Sequence, residues 1–328
     1  MADKGAAGRP AAIGTDQHGA PRGTGAADPA VPRRRVGVGW GIRFALVAVT
    51  LFAVQDGISK HLAEAYPVPF FVMIRYWFFL AFVLALASRQ AGGIQGAART
   101  RMPVVQSVRG VLLVVQIVVI VESFDLVGLS TTHAIFALHP LLATLLAIPV
   151  LGETVGWRRL AAVGVGFAGV LVILRPSGTF FVPEALVALL AAVMFSAYGV
   201  LTRLATRTDG SGQPAFFYTG AAGAVAATAM GMGFWVPMSA ADWGWLGVLC
   251  VTGMSGHYCL IRALDATEAV RIQPLVYLQM VYAQGIGLVV FGEALDPLTL
   301  LGMAMIVGAG LYAIWREAAL ARHDPTGG

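Results

Sequence analysis

Apolar residues in this chain are gathered into successive blocks of about 20, the length of helix that crosses the roughly 30 Å hydrocarbon core of a bilayer. A buried core helix of a soluble protein is shorter and keeps one polar face. Composition points the same way: 58% of the 328 residues are hydrophobic and only 12% charged, about half the charge that a soluble domain carries. Lipid is therefore the solvent, and the expected fold is all-α and membrane-embedded.

Ten blocks stand out, near 41–62, 67–87, 103–121, 130–151, 160–174, 182–203, 215–235, 243–262, 270–291 and 298–315. Short links rich in Gly, Pro and Asp join them, too short for a separate soluble domain. Residues 1–38, rich in Gly, Ala, Pro and Arg with no apolar run, read as a disordered cytoplasmic tail rather than a cleavable signal peptide. Residues 317–328 read as a second cytoplasmic tail.

With the amino terminus in the cytoplasm, the inner links receive Arg33, Arg34, Arg35, Arg89, Arg99, Arg101, Arg158, Arg159, Arg203, Arg207, Arg262, Arg271, Arg316 and Arg322. The outer links keep only Lys60 and Arg175, and hold Glu122, Asp125, Asp242, Glu293 and Asp296. That bias is the positive-inside pattern, with both termini cytoplasmic and the chain in the cell's inner (plasma) membrane. It also accounts for the net charge of +5 without nucleic acid, because the basic residues lie between apolar blocks rather than along one face. Cys250 and Cys259, nine residues apart in one block, fall on opposite helix faces and cannot bridge.

The two halves repeat. Phe52 precedes Lys60 by eight residues in the first block, and Phe195 precedes Arg203 by eight in the sixth. The fourth block ends in Gly152-Glu153 before a block holding Gly164, Gly166 and Gly169. The ninth ends in Gly292-Glu293 before a block holding Gly302, Gly308 and Gly310. Five crossings per copy is an odd number, so the second copy is inverted relative to the first. Inverted repeats build alternating-access carriers around a site near mid-membrane.

Ten blocks in two halves, each with Gly-Glu before its last helix, resemble the EamA type of the drug/metabolite transporter superfamily. The stretches from His139-Pro140-Leu141-Leu142 through Gly152-Glu153, and from Pro274-Leu275-Val276-Tyr277 through Gly292-Glu293, carry the resemblance. It covers 41–315, with halves at 39–176 and 180–316. It implies a ten-helix bundle with a central cavity, and secondary transport of a metabolite such as an amino acid, nucleoside, vitamin or drug.

Arg75 lies about 12 Å into the second block and Asp56 about 9 Å from the outer end of the first. An arginine at such depth costs about 3 kcal/mol unless it faces a partner or polar cavity. Arg75 suits a substrate carboxylate or phosphate, or a structural ion pair. Asp56 suits a coupling proton or a substrate amine, with Arg75 or Lys60, at i+4, as its expected partner.

His139, beside Pro140, and His257 are candidate proton relays or neutral hydrogen-bonding groups. Gln55, Gln116, Gln279 and Gln284, with Tyr198, Tyr258, Tyr277 and Tyr282, put polar groups inside blocks. Gln116, Tyr277, Gln279 and Tyr282 are expected to line a cavity. His133 reads as an interfacial polar residue. Glu153 and Glu293 read as structural residues at helix ends. The spacings Ala162/Gly166 and Ala304/Gly308 suit close helix contact, within one chain or in a homodimer.

No phosphate-loop, HExxH, paired-cysteine or GxSxG motif is present, so no cofactor, metal or ATP use is expected. The leading function is transport of a small polar, amino-acid-like solute, in the export direction and with proton coupling. The alternative is uptake of a vitamin or nucleotide-like metabolite, riboflavin- or S-adenosylmethionine-like. An intramembrane enzyme using His133, His139 and Asp56 is opposed by histidines six apart, which do not share a face of a continuous helix. A non-transporting scaffold is opposed by the charges inside the blocks.

Overall fold

With no water in the hydrocarbon core to bond exposed peptide groups, a spanning segment satisfies them within itself, and the apolar blocks of this chain are helical. A computed structural model describes residues 38–323 apart from 91, 153–155, 175–182, 211, 267–268 and 295. The elements are α1 (Val38–Ala63), α2 (Val68–Ser88), α3 (Gly93–Ala98), α4 (Pro103–Val127), α5 (Leu129–Phe136), α6 (His139–Leu151), α7 (Trp157–Leu174), α8 (Ala185–Asp209), α9 (Gln213–Gly231), α10 (Ala240–Ala266), α11 (Ala269–Val290) and α12 (Pro297–His323). There are no strands among the described residues. Six segments are long and apolar enough to cross a membrane: Gly39–Ala63, Val68–Ser88, Pro103–Val127, Leu129–Leu151, Ala185–Asp209 and Gln213–Phe234. Leu160–Leu174, Tyr277–Val290 and Pro297–Ala313 are shorter apolar stretches.

Starts and stops follow local chemistry. Proline stands in the first turn of α2, α4, α6 and α9, where its missing N–H costs nothing. The fourth block, expected as one helix, is divided. Pro140 cannot donate to the carbonyl four residues back and crowds it, so the helix breaks at Ala137–Leu138 and restarts at His139. The carbonyl of Phe136 is bonded instead by His139 Nδ1 at 3.0 Å, which places the proton on that nitrogen.

The helices bury two apolar cores. Phe70, Phe71, Met73, Val114, Phe124, Leu246 and Leu249 belong to one, drawn from α2, α4 and α10. Leu138, Leu141, Val170, Ala188, Tyr277 and Ile306 belong to the other, from α6, α7, α8, α11 and α12. The main contacts pair α1 with α10 and α4 with α8, α1 with α11 and α8 with α5 and α6, α2 with α9, and α7 with α12. Exchanging α1 for α8, α2 for α9, α4 for α10, α5–α6 for α11 and α7 for α12 maps this set onto itself. The largest departure from this exchange is that α4 packs closely along α9, whereas α10 touches α2 only lightly.

The α7–α12 seam shows how small residues set the approach. A Cβ on Gly169 would lie 2.6 Å from the Gly302 carbonyl oxygen, and one on Gly302 would collide with that of Gly169. Gly164, on the same helix, has nothing within 4 Å. Gly166 is packed within the chain against Leu138 and Leu141 of the α6 region. We expect Gly169→Ala to cost about 1–3 kcal/mol by overpacking and Gly164→Ala to be near neutral; equal melting temperatures for the two variants in detergent would contradict this.

Candidate functional site

Four layers of polar groups cross the bundle, and α1 contributes to three. Its consecutive residues Gln55 and Asp56 point about 100° apart around the helix axis. Asp56 faces α5 and α11: Gln279 Nε2 donates to Asp56 Oδ2 at 2.8 Å. His133 Nε2 lies 3.1 Å from the same oxygen, off the line of a hydrogen bond. Gln55 faces α2 and α10, and Arg75 Nη2 donates to Gln55 Oε1 at 2.9 Å. Gly253 of α10 makes room there, since a Cβ would sit 2.6 Å from Gln55 Oε1 and 3.2 Å from Arg75 Nη2.

The expected Asp56–Arg75 pair is therefore not formed, because the two sit on different faces of α1. Lys60 does not pair with Asp56 either. Its long side chain reaches the other way, to Glu293, and lies over the Phe291 ring with Nζ 4.5 Å from the centroid.

The break at Pro140 changes the placing of the histidines. His133 is buried at 3% exposure and touches Asp56, not an interface. His133 and His139 were expected to converge poorly, yet both line one small pocket with Phe136, Ala137, Tyr277, Gln279 and Met280. A continuous helix would have turned them apart; the interruption does not. Phe136, His139 and Phe195 form a ring cluster, with centroids 4.9, 5.1 and 5.3 Å apart, and Tyr198 adjoins Phe195 at 6.0 Å. His257 is packed edge-on to Phe52 at 5.1 Å and near Phe79 at 6.3 Å. Tyr277 is buried with its hydroxyl unpartnered, pressed against Gly310. Gln116 is buried, and neither it nor Tyr282 is among the residues lining that pocket. Tyr258 is exposed.

At the Lys60 end, the Glu293 carboxylate fits the start of α5. Leu129 N donates to Oε1 at 2.8 Å and Ser130 N to Oε2 at 2.9 Å, while Lys60 Nζ bonds Oε1. Gly128, at φ +85°, turns the chain so that both amides converge. Burial by itself raises the Glu293 carboxyl; the bonds from Lys60, Ser130 and Leu129 outweigh it and hold the group below its ordinary range. Glu293, expected as a helix-end structural residue, thus joins α1, α5 and the α11–α12 link. Its repeat mate Glu153 lies outside the described residues.

The opposite end holds a network that sequence reading passed over. Arg109 of α4 is 1% exposed. Its Nε donates to Gln106 Oε1 at 2.7 Å, Nη1 to Thr202 at 3.1 Å and Nη2 to Thr219 at 2.8 Å, with a further bond to the Ala215 carbonyl. The Tyr198 ring lies 5.3 Å from the guanidinium carbon. Gln106 relays to Asp209 at 2.9 Å, and Asp209 also accepts from Thr100 at 2.6 Å and the Arg101 amide at 2.8 Å. The signal for it was Gln106 three residues before an arginine inside an apolar block. No cluster among the described residues has the composition of a metal site, and Cys250 and Cys259 are free thiols.

An all-helical bundle with charges buried between its apolar helices is a membrane carrier's architecture, and sequence relationships agree. The EamA-like transporter family matches residues 39–175 and 182–315, and the chain belongs to that family. It is a multi-pass membrane protein. It is 27% identical to an S-adenosylmethionine uptake transporter of Rickettsia prowazekii, over 84% of this chain and 93% of that one. It is also 27% identical to a pseudopaline exporter of Pseudomonas aeruginosa (82% and 94% covered) and to a riboflavin transporter of Brucella anthropi (76% and 90%). A crystal structure superposes with a TM-score of 0.55 at 20% identity, covering 86% of this chain and 98% of that one, a likeness of fold alone.

The depressed carboxyl of Glu293 sets a pH dependence. Its stabilisation is complete above the ordinary glutamate range, about 4.3, and is lost as pH falls through the lower folded value. The melting-temperature gap between wild type and Glu293→Gln should stay constant near neutrality and close below about pH 4; a gap unchanged at acid pH would contradict the assignment.

Proposed function

We propose that the chain is a secondary transporter moving a small zwitterionic metabolite by alternating access, through ten crossings in two inverted five-helix halves, 39–176 and 180–316. Both termini lie in the cytoplasm and the membrane is the inner (plasma) membrane. The reciprocal helix contacts support the inverted repeat, since the pairs α1–α10 and α4–α8, and α1–α11 and α8 with α5–α6, exchange with one another when the halves are swapped. The largest inequality, α4 along α9 against the slight contact of α10 with α2, is the asymmetry expected of a carrier caught on one side of its cycle.

The observation that carries the substrate class is a pair of half-buried charges of opposite sign with neutral or titratable partners. Asp56 is held by Gln279 and His133, and Arg75 by Gln55. Gln55 uses one of the five N–H donors of Arg75. A solute amine would meet Asp56 and a carboxylate would meet Arg75, and the cluster of Phe136, His139 and Phe195 offers faces for a planar ring. His133 beside Asp56 would share the coupling proton.

S-adenosylmethionine, an amino acid carrying an adenosyl group, has these parts and is the first solute to test. Export is the direction expected from the family resemblance; uptake is the direction named for the Rickettsia relative. A carrier without an ATP site runs down whichever gradient is imposed, so one assay reads both.

In proteoliposomes, labelled S-adenosylmethionine should equilibrate across the membrane faster than in protein-free vesicles; equal rates would discard this solute. Asp56→Asn should abolish the response to a pH gradient while the protein stays folded, and an unchanged response would remove Asp56 from coupling. Arg75→Ala should weaken binding of the zwitterion about tenfold or more, the loss of a charge-assisted bond; retained affinity would make the arginine structural.

A further inference from the structure

Glu293 sits in a place built for an anion. The walls come from three separate segments: the Lys60 ammonium of α1, the first two amides of α5, and the α11 backbone at Gly287. Lys60 is 8% exposed, so its charge is taken out of water and fixed in position. Ser130 is 5% exposed, and its hydroxyl lies against the same carboxylate without a bond of hydrogen-bond geometry. A Cβ on Gly287 would collide with both Ser130 Oγ and Glu293 Oε2, so this glycine keeps open the space that the anion occupies. Two amides at a helix start, an ammonium and a spare hydroxyl form a carboxylate receptor.

The occupant arrives on a link, not on a helix. Glu293 follows Gly292, at φ +64°, between α11 and α12. It is anchored to its own segment by one backbone bond, from Glu293 N to the Gly287 carbonyl at 2.9 Å. Along α1, Asp56 lies one turn from Lys60 on the same face, so the receptor lies next to the His133–Asp56 layer.

We propose that Lys60, the start of α5 and Ser130 form an entry site that takes a solute's carboxylate before it passes on to Arg75, and that Glu293 fills it as a tethered substitute when this end of the bundle is shut. This rests on the transport reading and deepens it. Arrival of a carboxylate-bearing solute would displace Glu293 and free the α11–α12 link, so binding and opening at this end would be one event.

The receptor can be tested apart from transport, by supplying the missing anion. Glu293→Ala in detergent should melt at least about 3 °C higher in sodium acetate than in sodium chloride of equal ionic strength. Wild type, with its site filled, should show no difference between the salts, and Lys60→Met combined with Glu293→Ala should lose the acetate effect. Should the alanine variant be recovered from neither salt, Glu293→Ser, whose hydroxyl can take one of the two amides, is measured in the same way. Equal melting in both salts, or an acetate effect of the same size in wild type, would overturn the site. An acetate effect in a protein that moves no zwitterion would leave the receptor standing and defeat the transport reading instead.

Discussion

A buried charge in a bilayer has no water to fall back on, and the arrangement of this molecule follows from how each one is answered. Lys60 meets Glu293, Asp56 meets Gln279 and His133, Arg75 meets Gln55, and Arg109 meets three neutral side chains, a carbonyl and an aromatic face. The two ends are answered most fully. Glu293 is bound by an ammonium and two amides, and Arg109 donates to acceptors on α4, α8 and α9. The middle layer is answered more sparingly, chiefly by amide side chains. Sparing satisfaction in the middle leaves capacity for a ligand, and at the Lys60 end the satisfying carboxylate is carried on a link rather than a helix.

The break in the fourth block joins local chemistry to this arrangement. Pro140 stops one helix and starts the next, His139 takes up the freed carbonyl, and the start of α5 then presents its amides to Glu293 while its other end carries His133. A straight helix would have turned His133 and His139 to different faces. Glycines complete the geometry where backbone or large groups must approach: Gly253 beside Arg75, Gly287 beside Glu293, and Gly169 against Gly302.

Much of the site was legible in the sequence as a set of residue types at given depths. Asp56, Arg75, His139, Gln279 and Tyr277 all lie within or beside the central layers. Their pairing was not legible. Helical spacing makes Lys60 a natural partner for Asp56, but a lysine is long enough to choose a carboxylate from a distant link. Arg109 escaped notice because it lies near the start of its block, where an arginine ordinarily reaches the interface, and only the crossing of α8 and α9 over it makes it buried. His133 is the converse case, near the outer end of its block yet buried against Asp56 and Phe124.

By itself, the sequence determined the solvent, the helical class and the membership of a transporter family, because block length, charge content and repeated motifs are one-dimensional properties. The tertiary structure decided which charge answers which, where the fourth helix breaks, and that a glutamate 233 residues from Lys60 closes on it. Those are contacts between segments remote in the chain, and their energies depend on distance and burial that no local pattern encodes.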